Sequence, residues 1–131
     1  MYNRVVLIGR LTAQPQVRKT VKERSVCQIR LAVNRRYKSA DGKQEADFVS
    51  ITFWGRLAET LGSYGSKGSL LTVEGELRTD RYEKDGQQHY TMEVLGQSFQ
   101  FLESRSQREQ RQQDKGEALS DLVLEAESLP F

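Results

Sequence analysis

The sequence is short of the residues that most often carry chemistry. Its 131 residues hold one histidine, His89, and one cysteine, Cys27. A lone cysteine excludes a disulfide framework or a cysteine-based metal cluster within one chain, and it fits a reducing cytoplasm. With a single histidine and no evident Ser or Cys partner, histidine-based catalysis has little to draw on. The chain also lacks a phosphate-binding glycine loop, a zinc-ligand spacing and a nucleophile elbow. Long hydrophobic runs are missing as well. The apolar run near the start, Val5 to Ile8, is too short for a signal sequence, and no segment approaches the roughly 20 apolar residues of a membrane span. A metal-dependent nuclease would depend on Asp41, Asp47, Asp80 and Asp85, which are spread over loops and strand ends. No cofactor and no enzymatic activity are expected.

What is present is a chain long enough to bury a core without staples. The net charge of +2 hides an uneven distribution. After Gly116 the chain carries Glu117, Asp121, Glu125 and Glu127 and no Lys or Arg, so the body is more basic than the total indicates. Val5, Leu7 and Leu11 share one parity and Val6 and Ile8 the other, a first strand with apolar residues on both faces. It is either a central strand of one core or part of a subunit interface. "VCQIRLAV" is a second strand with Cys27, Ile29, Leu31 and Val33 inward and Gln28, Arg30 and Asn34 outward. A basic turn region with Asp41-Gly42 at its tip leads to a third strand, Phe48 to Trp54.

Then the period changes. Leu57, Ala58, Leu61 and Tyr64 recur at helical spacing and Gly62, Gly65 and Gly68 close the segment, which predicts a short helix with one apolar face. "SLLTVEGELRTDRYE" follows with Leu71, Val73, Gly75 and Leu77 inward. Lys84-Asp85-Gly86-Gln87 signals a hairpin, and the returning strand places Tyr90, Met92 and Val94 inward, followed by Phe99 and Phe101. The order predicts an all-β fold, a five-stranded Greek-key barrel of the OB type, with one short helix between strands three and four. Residues 1–103 form this domain. Residues 104–120 read as a disordered polar linker and residues 121–131 as an acidic and hydrophobic tip.

The third strand poses the functional question. Val49, Ile51 and Phe53 make an ordinary core face, yet the other face is Phe48, Ser50, Thr52 and Trp54, two small hydroxyl residues with a large ring at each end. Tyr82 lies on the polar parity of strand four, and Tyr37 sits at the mouth of the basic region. Arg35, Arg36, Lys38, Arg56, Arg78, Arg81 and Lys84 surround them. Rings interleaved with cations suit an unpaired nucleic acid strand, whose bases offer flat faces and whose phosphates need neutralising. A dimer interface or a second core would also use such rings. An OB module for RNA is the main alternative, since the same surface stacks either nucleic acid and only contacts to the 2′-hydroxyl separate them.

Several stretches together resemble the bacterial single-stranded DNA-binding protein family: "NRVVLIGRLTAQPQVR", "LAVNRRYK", "ADFVSITFWGRLAE", "YGSKGSLLTVEGELRTDRYEKDG" and "SFQFLE", in that family's order and spacing. The resemblance spans Met1 to Glu103. It implies an OB-fold core, usually a homotetramer, that wraps single-stranded DNA without strong sequence preference. Tyr37, Phe48, Trp54 and Tyr82 match that family's base-stacking positions. Arg4, Arg10, Arg35, Arg36, Lys38, Arg56, Lys67 and Arg78 fall in segments that face the strand or its path, and Val6 and Ile8 are candidates for the subunit contact. Relatives end in a run of aspartates, then a hydrophobic residue, Pro and Phe. Here Leu129, Pro130 and Phe131 keep that ending, while the acidic run is thinned to Glu125 and Glu127. The resemblance implies that this tip recruits DNA replication, repair or recombination proteins, with the chain in the cytoplasm at the nucleoid and away from membranes. The short linker and diluted tip resemble the shorter second paralogue of Gram-positive bacteria associated with DNA uptake.

Overall fold

Cys27, Ile29 and Leu31 on one strand and Ile51 and Phe53 on the next alternate with polar neighbours, and in the computed structural model all five are buried. The structure describes residues 1–103. The expected linker and tip, with Glu125, Glu127, Leu129, Pro130 and Phe131, lie outside the described residues. The elements run β1 (Val5–Leu11), β2 (Val17–Lys19), β3 (Ser25–Lys38), β4 (Gln44–Trp54), α1 (Arg56–Tyr64), β5 (Leu70–Lys84) and β6 (Gln87–Phe101). The strands lie in the order β1-β5-β6-β4-β3-β2, and a further β1–β3 pairing at Arg10↔Ala32 and Leu11↔Leu31 closes the barrel. β4 and β6 run parallel, joined at Ile51↔Val94 and Thr52↔Leu95. Five strands make the barrel, as expected. The short β2, which pairs with β3 alone, has no apolar alternation to mark it in the sequence.

Inward residues of these strands meet Ala58 and Leu61 of α1 in one core with Leu11, Leu71, Val73 and Val94. Phe53 sits in it edge-on to Phe99, with ring centroids 5.4 Å apart. Burying such a set contributes about 1.5–3 kcal/mol for each large apolar side chain. Space there is tight. A Cβ at Gly96 would stand 2.2 Å from the Phe53 ring, so the strand passes this close only because the residue is glycine.

Two corrections concern the strands' outer reach. β3 and β4 continue through much of the expected basic loop, up to Lys38 and from Gln44, as an exposed arm. β5 and β6 form a second arm, turned by Asp85 (φ 54°) and Gly86 (φ 77°), the two left-handed residues of a tight hairpin. Leu77, Tyr90 and Met92, expected inward, are exposed on this arm, Tyr90 at 70% and Met92 at 66%. Their parity follows Val94, but beyond Val94 no element among the described residues covers that face. Tyr64, expected on the apolar face of the helix, is exposed too.

Candidate nucleic acid interface

On β4 the parity opposite the core puts Phe48, Ser50, Thr52 and Trp54 on one outer face. Pairing with β3 sets Ala32, Arg30, Gln28 and Val26 beside them in turn. Trp54 is held from several directions. Gly55, in a left-handed conformation, turns the chain into α1 directly after the ring, and its N–H donates to the Ser25 carbonyl at 2.8 Å. The Ser25 hydroxyl donates to the Glu59 carboxylate of α1, also at 2.8 Å. Between these strands and the second arm lies an open groove of about 1000 Å³, lined by Arg24, Gln28, Ser50, Trp54, Arg78 and Thr91 among others. Glu93, in its lining, accepts a hydrogen bond from the Thr52 hydroxyl at 3.0 Å, linking β6 to β4.

Each expected stacking ring has a flat cationic or aromatic neighbour. The Arg24 guanidinium lies 4.9 Å from the centre of the Trp54 ring, and that of Arg30 lies 5.3 Å from the centre of Phe48. Arg36 approaches Tyr37 at 5.9 Å. An exposed contact of this kind contributes about 0.5–1 kcal/mol. Tyr82 stacks on His89 across the β5–β6 arm, 5.2 Å apart and 20° from parallel. Tyr37, Trp54 and Tyr82 are solvent-exposed, and Phe48 is half-buried. Sequence reasoning missed Arg24 and His89 as neighbours of the rings. It placed Arg30 outward but gave it no role, because the ring it faces depends on the β3–β4 register.

The cations expected on the phosphate path do not share one surface. Arg10 lies on the outer parity of β1 with Val6 and Ile8, Arg4 directly precedes that strand, and neither lines the groove. Arg4 pairs with Glu74, and Arg10 pairs with Glu103 at 2.5 Å and donates to the Gly68 carbonyl at 2.9 Å. Val6 and Ile8 are exposed at 57% and 56%, an apolar stripe between those two ion pairs. Arg35 contacts Asp47 at 2.9 Å and Glu45 at 3.0 Å. Asp47 pairs with Val33 on the inward parity, so Arg35 is on the face of its arm opposite Phe48. Arg78 lines the groove while paired with Glu76 at 2.6 Å. Arg56 lines a different, more apolar groove with Tyr64, Phe99 and Phe101. Arg36, Lys38 and Lys67 are exposed.

Titration is perturbed in few places. The hydrogen bond from Arg35 holds the Asp47 carboxyl below the usual carboxylate range, and the Ser39 hydroxyl does the same for Asp41. Burial pushes the Cys27 thiol up, which suits a core residue. Among the described residues no three His, Cys, Asp or Glu side chains converge as metal ligands, and no helix is long and apolar enough to cross a membrane.

A closed five-stranded barrel with a parallel β4–β6 seam and an outer groove that takes in Trp54 defines an OB-fold binding protein. Residues 2–102 match the Single-strand binding protein family, and the chain belongs to that family. It is 61% identical over 131 residues, the whole of both chains, to "Single-stranded DNA-binding protein 2" of Streptococcus agalactiae serotype III. It is 58% identical, again over the whole of both, to "Single-stranded DNA-binding protein 1" of Streptococcus pyogenes serotype M6. Among solved structures, a deletion mutant of the single-stranded DNA binding protein from Thermus aquaticus matches with a TM-score of 0.66 and 31% identity, over 81% of this chain and 53% of that one. Family membership makes this chain a binding protein rather than an enzyme and agrees with a Gram-positive paralogue.

Proposed function

We infer that the chain binds single-stranded DNA with little sequence preference, stacking bases on Tyr37, Phe48, Trp54 and Tyr82 and neutralising phosphates with the surrounding Arg and Lys. The observation that carries this reading is the outer face of β4, where Phe48 and Trp54 flank two small hydroxyl residues above an open groove. A duplex hides its base faces, whereas an unpaired strand offers one to each ring, at about 1–3 kcal/mol per stacked base. Trp54 is the only tryptophan, so its emission reports one site. Titration with a poly-pyrimidine single strand should quench it strongly and saturably, and a duplex of equal length should not. Unchanged emission with both would remove Trp54 from the platform.

Assembly and recruitment belong to the same proposal. The apolar stripe of Val6 and Ile8 supplies a contact for a homotetramer across which one strand passes several platforms. Sedimentation of the protein as a monomer would overturn that part. The tip formed by Glu125, Glu127, Leu129, Pro130 and Phe131 offers a ring and acids to a basic-rimmed pocket on replication, repair or recombination proteins. Residues 104–120 act as its tether, and the setting is the cytoplasm, on chromosomal or incoming DNA. Deleting Leu129 to Phe131 should abolish capture of such partners and leave the Trp54 titration intact. Capture that survives the deletion would dismiss the tip.

A further inference from the structure

Resting on the reading that this groove takes a DNA strand, we propose that Arg24 and Arg30 are phosphate-binding residues, parked on Trp54 and Phe48 in the free protein and passed to the strand when a base takes their place on the ring.

Distance is the first support. Guanidinium carbons 4.9 and 5.3 Å from the ring centres leave no room for a base between cation and ring, so a base that stacks there must move the arginine. An arginine displaced by a base is already beside the sugar and phosphate that the base carries. Charge is the second support. Among the described residues, ion pairs engage Arg4, Arg10, Arg35 and Arg78, and neither Arg24 nor Arg30 takes part in one. An arginine that leaves a carboxylate for a phosphate strands that carboxylate, which then collects a cation from solution and offsets the counterions released from the DNA. Arg24 and Arg30 carry no such offset.

Construction is the third support. The backbone of Arg24 is tied on both sides: its carbonyl accepts from the Thr20 N–H at 2.9 Å, and its N–H donates to the Thr20 hydroxyl at 3.2 Å. The next residue, Ser25, holds Gly55 and so the end of the strand that bears Trp54. The anchor of the arginine and the anchor of the ring are therefore fixed together, while the guanidinium stays free to swing. Arg30 leaves from mid-β3, where its partner Ser50 lies two residues from Phe48 on the same face.

The test compares the full-length wild type with Arg24→Gln, Arg30→Gln and Arg24→Lys. Affinity for a poly-pyrimidine single strand is followed by Trp54 emission over a series of NaCl concentrations. Both arginines are exposed, so the variants should fold, which a thermal melt checks. Each Gln variant should bind more weakly at low salt and lose about 0.7 from the slope of log affinity against log salt. Arg24→Lys, which keeps the charge without the plane, should recover the lost slope. Gln variants with the wild-type slope would overturn the proposal. Tighter binding with that same slope would also overturn it, and would make the arginines mere covers. Salt-independent wild-type binding would overturn phosphate neutralisation and this inference with it, and no wild-type binding at all would overturn the DNA-binding reading as well.

Discussion

The Thr52 hydroxyl donates to the Glu93 carboxylate at 3.0 Å beside the two residue pairs, Ile51↔Val94 and Thr52↔Leu95, that join β4 to β6 among the described residues. Thr52 is 8% exposed, so the bond is shielded from water on one side. Thr52→Val keeps the shape and removes the donor, leaving the carboxylate short of a partner. We expect a loss of about 1.5 kcal/mol, as for a hydrogen bond to a charged group, read as a lower denaturant midpoint with an unchanged slope. An unmoved midpoint would show that water replaces the hydroxyl at no cost.

Gly96 faces the Phe53 ring, where an added methyl would sit 2.2 Å from Cε1. That ring is fully buried and packed edge-on to Phe99, so it cannot step aside. Gly96→Ala should cost about 1–3 kcal/mol by overpacking. Chemical denaturation checks it, and wild-type stability would mean that the strand can shift outward at this point.

Asp47 titrates low because Arg35 hydrogen-bonds to its charged form. A carboxyl whose folded value is depressed contributes stability that is present above its unfolded value, near 3.9, and fades as pH falls through the folded value. Arg35→Ala should therefore raise the Asp47 titration back into the ordinary carboxylate range, as followed by carboxyl NMR, and move acid unfolding only at acidic pH. Both side chains are more than half exposed, so the change at neutral pH should be slight. A titration that stays low without Arg35 would mean that another group holds Asp47 down.

The barrel was legible in the sequence because its strands alternate cleanly and its helix breaks that period. Val49, Ile51 and Phe53 against Phe48, Ser50, Thr52 and Trp54 announced both the core and the ring face. Tyr90 and Met92 misled because parity tells which face a residue shares and not whether anything covers it. β2 escaped because Val17, Arg18 and Lys19 are all exposed and bury no side that could leave a pattern. Pairings across the chain, such as Arg24 with Trp54 or Arg35 with Asp47, depend on register and on the course of a turn. Neither is written in spacing, so the cations looked alike until the fold divided them between faces.

Phe48 and Trp54 sit over the barrel, beside Ala32 and Val26, whereas Tyr37 and Tyr82 ride on arms that are exposed among the described residues. Amide exchange should accordingly be slow in Phe48–Trp54 and faster at Tyr82, and equal protection would dismiss the contrast. Exchange in that order would make two of the rings rigid footings and two compliant outriggers. If these rings stack bases as proposed, a purine after a pyrimidine, or a kink in the sugar chain, would be absorbed by bending an arm without straining the barrel. On the proposed reading, indifference to sequence would then be a mechanical property, with the surface giving way at the points where a stiffer one would have to discriminate.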